Sequence, residues 1–321
     1  HKRRGREERS RRFSFSVMTQ PKETLLVWVA WPEKCFSVNA ADAAYLRTLV
    51  GDSADVVVVK SEREFLRELP RATKAIVWSF KAEWFVHAPR LKLLATPGAG
   101  RELVPRTAPA GVTIHFGRFH GPIMAETVAG FMLAWARGFF RPERSEFWPR
   151  AALSDKCYRV EGTKAVILGY GLIGRAIGGK LTQLGVSVAG FHRANMGDLP
   201  AALSDADWLI CALPGDTGTD NLVSGRLLRK LPRRAVLVNV GRGNAVDERA
   251  LLDALRAKRL AGAYLDVFRG EPSPVRKGEP EIYGAEYGHL PWNLIRMPHT
   301  CAFSNDYMRR AFKELKDDGL I

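Results

Sequence analysis

The segment spanning residues 165–193 constrains the fold more than any other part of the chain. An apolar run at 165–168 predicts a buried parallel strand, and it leads into Gly169-Tyr-Gly171-Leu-Ile-Gly174. A helical stretch at 173–184 and a second strand at 186–191 follow. A G-x-G-x-x-G pattern in this order of strand, tight turn, helix and strand is typical of dinucleotide-binding folds.

Each glycine of this pattern has a separate physical role. Gly169 permits the tight turn, and Gly174 lets the helix lie close to the sheet. Gly171 has no Cβ, so backbone N–H groups can approach a pyrophosphate. Leu172 and Ile173 lie at the N-terminus of the predicted helix, where the positive end of the helix dipole faces the phosphates. The segment therefore predicts a dinucleotide site at this turn.

Composition indicates an ordinary globular protein. The 321 residues are enough for two domains, and no apolar run reaches the roughly 18 residues that span a bilayer, so no membrane partner is expected. The four cysteines are scattered without a C-x-x-C pair, and the isolated histidines have no metal-ligand spacing. We expect no metal site and a reducing compartment, the cytoplasm.

The formal net charge of +15 is unevenly distributed. Residues 1–17 hold seven basic and two acidic side chains without hydrophobic periodicity, and we interpret them as a disordered or non-native extension. The remaining excess of positive charge either lies on a solvated surface or creates a field that attracts anionic cofactors and carboxylate substrates. The chain lacks the interleaved aromatic and basic motifs of nucleic-acid modules, so nucleic acid is not an expected partner.

Strands and helices alternate in two sets along the chain, which predicts α/β architecture with largely parallel sheets. An apolar stretch at 122–140 separates the sets and predicts a long buried helix between two domains, and 301–321 predicts a final helix. The predicted strands are 25–31, 55–60, 75–80, 91–96 and 112–116 in the first set, and 165–168, 186–191, 207–212, 235–240, 261–267 and 294–297 in the second. The predicted helices are 40–50 and 61–69, then 173–184, 199–203, 224–230 and 248–258.

Three predicted strand ends of the second set carry polar side chains suited to catalysis. Arg242 lies in V-N-V-G-R-G, Glu271 in L-D-V-F-R-G-E-P, and His299 in M-P-H-T. Ligands of such sheets bind outside the carboxyl ends of the strands. One such residue alone would be an ordinary polar loop residue, whereas three at corresponding ends predict a catalytic group.

The order of these motifs resembles that of the D-isomer-specific 2-hydroxyacid dehydrogenases. Further matches are Thr96-Pro-Gly-Ala-Gly100 with the family's substrate-carboxylate loop and His120-Gly-Pro-Ile-Met-Ala-Glu126 with the start of its interdomain helix. The resemblance implies two doubly wound parallel-sheet domains, with the active site in the cleft between them. These are a flavodoxin-like substrate domain (18–121 plus 301–321) and a Rossmann nucleotide-binding domain (122–300). A homodimer formed through the nucleotide domain is also implied, and the apolar segment 130–140 is compatible with it.

The resemblance also implies roles for the strand-end residues. Arg242 would bind the carboxylate and keto oxygen of a 2-oxo acid, as a planar two-pronged donor suits a planar acid. His299 would exchange a proton with the substrate oxygen, and Glu271 would hydrogen-bond and orient its ring. The implied substrate-binding residues are Trp78, Ser79, Ala99, Gly100 and Arg242. The implied cofactor-binding residues are Gly169, Gly171, Leu172, Ile173, Gly174, His192, Arg193, Pro214, Thr219, Val240 and Asp266, the last through the nicotinamide carboxamide.

The end of the second strand of the nucleotide fold predicts which cofactor is used. NAD enzymes carry an acid there that binds the adenosine ribose, whereas this chain has His192-Arg193. A guanidinium attracts the 2′-phosphate that an acid would repel. We therefore predict NADP(H) in preference to NAD(H).

These inferences together predict an NADPH-dependent reductase of a small 2-oxo acid, of the glyoxylate or hydroxypyruvate type. One alternative is a formate dehydrogenase-like enzyme, although that family has Gln where Glu271 stands here. Another is a dinucleotide-sensing corepressor-like binding protein on the same fold. The substrate stays open because Arg101-Glu102 and Cys301-Ala302 depart from the family's usual residues.

Overall fold

The computed structural model describes residues 22–145, 147–271, 280–284 and 288–321. The predicted extension at 1–17 lies outside them. Within the described residues the chain forms one five-stranded and one six-stranded sheet, and every strand pair is parallel. None of the described helices is both long and apolar enough to cross a bilayer. The predicted α/β class with two parallel sheets is confirmed.

The first sheet has the strand order β2-β1-β3-β4-β5, which is the flavodoxin-like order. Asn39 caps its first helix, because the Asn39 side chain accepts a hydrogen bond from the N–H of Asp42 at 2.9 Å. The elements are β1 (Glu23–Trp28), α1 (Ala40–Val50), β2 (Ala54–Val58), α2 (Glu62–Glu68), β3 (Lys74–Val77), β4 (Leu93–Thr96) and β5 (Thr113–Phe116).

A long helix, α3 (His120–Ala136), connects the sheets, and eleven of its seventeen residues are buried. It lies against the second sheet, since a Cβ at Gly262 would overlap the Trp135 ring. The prediction that this helix extends to residue 140 is wrong. Gly138 has φ +72°, and the N–H of Phe139 donates to the carbonyl of Ala134, so a Schellman motif ends the helix four residues earlier.

The described residues 138–145 and 147–156 are irregular apart from short helical turns, among them α4 (Arg150–Leu153). The second sheet then follows with the order β11-β10-β9-β8-β6-β7, and the strand order reverses beside β6. Its elements are β6 (Lys164–Leu168), α5 (Leu172–Gln183), β7 (Ser187–Phe191), α6 (Leu199–Leu203), β8 (Trp208–Cys211), α7 (Gly225–Leu228), β9 (Val236–Asn239), α8 (Glu248–Arg256), β10 (Gly262–Leu265) and β11 (Leu294–Arg296).

The final helix, α9 (Tyr307–Asp317), is shorter than the predicted 301–321. Its start is delayed because the N–H groups of Thr300 and Cys301 donate to the Asp266 carboxylate instead of beginning a helix. Its end is set by Gly319 at φ +69°. Phe312 of α9 shares a core with Leu25 of β1, so the end of the chain packs on the first sheet. Where each domain begins and ends stays a prediction.

Candidate active site

The candidate catalytic residues follow three neighbouring strands. β9, β10 and β11 are adjacent and parallel, so their carboxyl ends share one edge of the second sheet. Arg242 comes three residues after β9, Glu271 six residues after β10, and His299 three residues after β11. The topology therefore directs all three loops to the same side of the molecule.

His299 and Glu271 form a hydrogen-bonded pair. The Nδ1 atom of His299 lies 2.9 Å from Oε2 of Glu271, and the other carboxylate oxygen accepts from the N–H of Phe268 at 2.5 Å. Both oxygens of Glu271 are therefore engaged, which fixes the carboxylate and the ring it orients. The His299 side chain is 52% exposed. Because Nδ1 faces Glu271, Nε2 is on the opposite edge of the ring, where an incoming substrate can meet it.

The backbone at His299 is strained, and Asp266 holds it. His299 has φ +55°, in the left-handed region that costs a non-glycine residue about 1 kcal/mol or more. The carbonyl of Asp266 accepts from the N–H of His299 at 2.8 Å, and its carboxylate accepts from the N–H groups of Thr300 and Cys301. Burial raises the pKa of Asp266, and these donors partly oppose the rise. Asp266 thus positions the histidine loop in addition to its predicted cofactor role.

Arg242 lies where loops from the two sheets meet. The buried Asn239 fixes its turn by accepting from the N–H of Gly241 and donating to the carbonyl of Arg242, both at 3.1 Å. The Nε atom of Arg242 donates to Oε1 of Glu102 at 3.2 Å. A Cβ at Gly100 would stand 2.5 Å from Nη2 of Arg242. The loop after β4 therefore faces the guanidinium directly.

The predicted substrate residues lie in that loop or pack close to it. Ala99 is exposed, Gly100 is half-buried, and Ser79 is half-buried just beyond β3. The indole N–H of Trp78 donates to the carbonyl of Phe36 at 2.5 Å, and its ring leaves little space beside Gly98, where a Cβ would stand 3.2 Å away. Trp78 thus packs directly behind the loop of Ala99 and Gly100.

A buried histidine supports the same loop from beneath. Nε2 of His120 lies 2.7 Å from the hydroxyl of Tyr307, which also approaches the carbonyl of Pro97 at 3.4 Å. Burial lowers the pKa of His120 to about 4, and the nearby Arg242 charge contributes in the same direction against an opposing effect of Glu314. At neutral pH this imidazole is therefore an uncharged structural support.

The glycine-rich turn has the geometry that a pyrophosphate requires. Gly169 has φ +89°, and a Cβ there would stand 2.5 Å from the carbonyl oxygen of Ala212. A Cβ at Gly174 would overlap the carbonyl oxygen of Gly169, whereas the space beside Gly171 is open to beyond 4 Å. Leu172 and Ile173 form the first turn of α5. The residues present therefore fit a dinucleotide at this helix N-terminus.

The remaining predicted cofactor residues lie around this turn. His192 and Arg193 are exposed directly after β7, and Nδ1 of His192 accepts from the N–H of Ala194 at 3.2 Å. The hydroxyl of Thr219 donates to the carbonyl of Pro214 at 2.7 Å and so closes the loop after β8. Val240 is buried directly after β9.

Sequence reasoning missed one buried acid near the catalytic pair. Glu248, the first residue of α8, is 5% exposed, and its Oε1 accepts from the N–H of Arg269 at 2.7 Å. Burial raises its pKa to about 7. A glutamate in the first turn of a helix is usually solvated, so the sequence carries no signal of this burial.

Three potential metal ligands also lie together, at the junction of β5 and α9. Ligand atoms of His115, Glu314 and Asp318 are within 4.8 Å of one another. Arg118 already pairs with Asp318, and its backbone N–H donates to both oxygens of Glu314 at 3.0 Å. The Arg118 guanidinium makes this cluster an ion-pair link between the segments that follow β5 and end α9.

Comparisons with known proteins agree with the geometry. The model of the NAD-binding domain of D-isomer specific 2-hydroxyacid dehydrogenases matches residues 129–299. The chain is 32% identical over 262 residues to glyoxylate/hydroxypyruvate reductase B of Erwinia tasmaniensis, covering 74% of this chain and 77% of that protein. It is 29% identical over 251 residues to glycerate dehydrogenase of Methylorubrum extorquens, covering 74% and 78%.

A solved structure shares the fold across nearly the whole chain. It is the NAD-complexed D-isomer specific 2-hydroxyacid dehydrogenase of Lactobacillus delbrueckii ssp. bulgaricus, with a TM-score of 0.74 and 17% identity over 92% of this chain and 96% of that one. Together with the match to the domain model, these similarities confirm the resemblance seen in the motifs. The chain therefore belongs to the D-isomer specific 2-hydroxyacid dehydrogenase family, whose members are NAD(P)-dependent oxidoreductases.

Proposed function

We propose that this chain reduces a small 2-oxo acid, of the glyoxylate or hydroxypyruvate type, to the D-2-hydroxy acid with NADPH. The observation that carries the proposal is the His299–Glu271 pair, 2.9 Å apart at the sheet edge that also bears Arg242. A carboxylate-supported imidazole and a guanidinium on one sheet edge suit proton transfer to a carbonyl oxygen in an anionic substrate. The names of the two relatives support the same substrate class.

Arg242 and the loop of Gly100 hold the substrate in this proposal. The guanidinium faces Gly100, so a carboxylate that contacts both is bound from both sheets. Arg242 also stabilises the negative charge that develops on the keto oxygen, because a fixed cation needs little reorganisation during the reaction. The substrate carboxylate is thus bound where the loop of Gly100 from the first sheet meets the loop of Arg242 from the second.

His299 transfers the proton. A bound reduced nicotinamide supplies the hydride to the carbonyl carbon. Nε2 of His299 donates a proton to the carbonyl oxygen, and Glu271 stabilises the ring in the orientation that exposes Nε2. Asp266 keeps the strained His299 backbone in place through its hydrogen bonds to the loop.

We assign NADP(H) as the preferred cofactor. Gly171 and the first turn of α5 would hold the pyrophosphate. His192 and Arg193 would hold the 2′-phosphate: with Nδ1 of His192 accepting from Ala194, a neutral ring carries its proton on Nε2 and can donate it outward. Arg193 is 87% exposed and only loosely paired with Asp216, at 3.4 Å, so it is available to an anion.

We also propose a cytoplasmic homodimer, with 122–300 as the nucleotide domain and 18–121 plus 301–321 as the substrate domain. The four cysteines are free, which suits a reducing compartment. Large apolar side chains are exposed close to the end of α3, including Phe139 at 60%, Phe147 at 100% and Trp148 at 76%. Such residues are typical of a subunit interface. Light scattering after size-exclusion chromatography tests this; a monomer at micromolar concentration contradicts it.

A substrate panel tests the catalytic proposal. Purified protein is mixed with NADPH or NADH and with glyoxylate, hydroxypyruvate or pyruvate, and cofactor oxidation is followed by absorbance. We expect turnover with NADPH and with glyoxylate, hydroxypyruvate or both. Oxidation with none of the acids, by protein that binds NADPH, would contradict the catalytic role and favour a binding function.

A further inference from the structure

The side chain of Glu102 lies where the substrate carboxylate is expected. Its Oε1 accepts from Nε of Arg242 at 3.2 Å, and its Oε2 occupies the space that a Cβ of Gly100 would take. The carboxylate is therefore bound to Arg242 and lies beside Gly100. These are the two elements that the proposed function assigns to the carboxylate of the 2-oxo acid.

An incoming carboxylate has the same charge, shape and hydrogen-bonding needs as the Glu102 side chain. Two carboxylates on one side of a guanidinium repel each other, so the substrate must displace Glu102 or share Arg242 at a cost. Displacement is feasible because the Glu102 side chain is 54% exposed and belongs to a loop. Glu102 can thus compete with a substrate carboxylate for Arg242, and its side chain can move away from Arg242 when the substrate binds.

The charge state of Glu102 agrees with this geometry. Burial raises its pKa, but the charge and the hydrogen bond of Arg242 outweigh that effect and hold the pKa below its usual value. The side chain is consequently an anion throughout the neutral range, in which the proposed reduction is assayed.

We propose that Glu102 is an internal competitor for Arg242 and a specificity-determining residue for anionic substrates. In the substrate-free protein it neutralises the guanidinium, and its displacement weakens the net affinity for every ligand that binds through a carboxylate. This inference rests on the proposed function of Arg242. It predicts that the natural substrate binds less tightly than the exposed arginine alone would allow.

The first test measures binding without turnover. Oxamate, an unreactive monocarboxylate analogue of a 2-oxo acid, is titrated calorimetrically into the full-length protein saturated with cofactor. We expect Glu102→Gln to lower the Kd of oxamate about fivefold, the scale of a half-exposed ion pair. Glu102→Asp, whose shorter side chain reaches Arg242 less well, should lower it by a smaller factor.

The matched control is Glu83→Gln. Glu83 is an exposed acid on the short 3-10 helix Ala82–His87, which connects β3 to β4. Its replacement by Gln changes the net charge by the same amount as Glu102→Gln. An equal gain in both Gln variants would overturn the inference, because it would reflect the overall field. Unchanged or weaker oxamate binding in Glu102→Gln would also overturn it, and weaker binding would show that Glu102 orients Arg242 instead.

Steady-state kinetics separates this inference from the proposed function. With an active 2-oxo acid, Glu102→Gln should lower KM about fivefold while kcat changes less than about twofold, since Glu102 does not contact the proton donor. If no 2-oxo acid is turned over but the variant binds oxamate more tightly, the proposed activity fails and the competitor role stands. If turnover is normal and KM does not fall, the competitor role fails alone.

Discussion

Glu248 offers a stability measurement whose magnitude follows from the structure. Its side chain is 5% exposed and accepts one hydrogen bond, from the N–H of Arg269. Its other oxygen is buried without a hydrogen-bond partner among the residues described. Burial raises its pKa to about 7; the N–H and charge of Arg269 oppose the rise, and the charges of Glu281 and Glu271 add to it.

The sign of the pH dependence follows from this raised pKa. In the unfolded chain a glutamate titrates near pH ~4.3, so between about pH 4 and 7 the folded state holds a proton that the unfolded state has lost. The stability from this group is therefore fully present below about pH 4 and is lost as the pH rises through about 7. At about 1.4 kcal/mol per pKa unit, the full loss approaches about 4 kcal/mol, of which most falls between pH 5 and 8.

Glu248→Gln removes the titration and keeps an oxygen that can accept from Arg269. We expect the unfolding free energy of the wild type to fall by about 2–3 kcal/mol relative to this variant between pH 5 and 8. Urea unfolding at four pH values in that range gives the two curves, and their difference cancels the titration of all other groups. Glu83→Gln serves as a control, because it replaces an exposed glutamate and so separates the effect of burial from the loss of one carboxylate.

A difference between wild type and Glu248→Gln that stays constant within about 0.5 kcal/mol across this range would refute the reasoning. It would mean that the buried carboxyl is ionised at pH 5 in the folded protein, and hence that water or a local rearrangement compensates its burial. A difference of opposite slope would mean that the ionised form makes a favourable contact that the folded geometry does not contain.

Three further substitutions test the site. His299→Gln should lower kcat about 100-fold or more and leave NADPH binding, followed by fluorescence titration, nearly unchanged, because only the proton donor is lost. Arg193→Ser should lower kcat/KM about tenfold with NADPH and little with NADH, since only NADPH presents a 2′-phosphate; equal losses would contradict its role. Asp266→Asn should lower both kcat and the thermal midpoint, because an amide nitrogen in place of Oδ2 cannot accept from the N–H of Cys301; an unchanged midpoint would contradict its positioning role.

Much of the site was predictable because parallel topology leaves few alternatives. Once the alternation of strands and helices indicates a parallel sheet, residues after consecutive neighbouring strands must share its carboxyl edge. The positions of Arg242, Glu271 and His299 follow from that rule. The glycine turn was equally predictable, since a positive φ at Gly169 and a missing Cβ at Gly174 are local requirements that only glycine meets.

The features that escaped prediction depend on contacts that no local pattern encodes. Glu102 reaches Arg242 across 140 positions of sequence, and although the motif at 96–100 predicted a substrate loop, no local pattern indicates this contact. The helix α3 continues its apolar pattern into Phe139 and Phe140, yet the left-handed Gly138 ends it. In that competition a backbone requirement at one residue outweighs the hydrophobic periodicity of its neighbours.

Three energetically unfavourable features of this fold lie close to the edge that bears the candidate site. The strands β8, β9 and β10 are buried along their whole length, and their buried polar Asn239 has both of its hydrogen-bonding groups satisfied. Asp266 directly after β10 is buried, His299 after β11 is left-handed, and Glu248 at the start of α8 is half-satisfied. Each of these contacts the loop of His299 or the loop of Glu271. These unfavourable conformations and buried groups converge on the His299–Glu271 pair. They are explained if these residues maintain the geometry of that pair at the expense of folding stability.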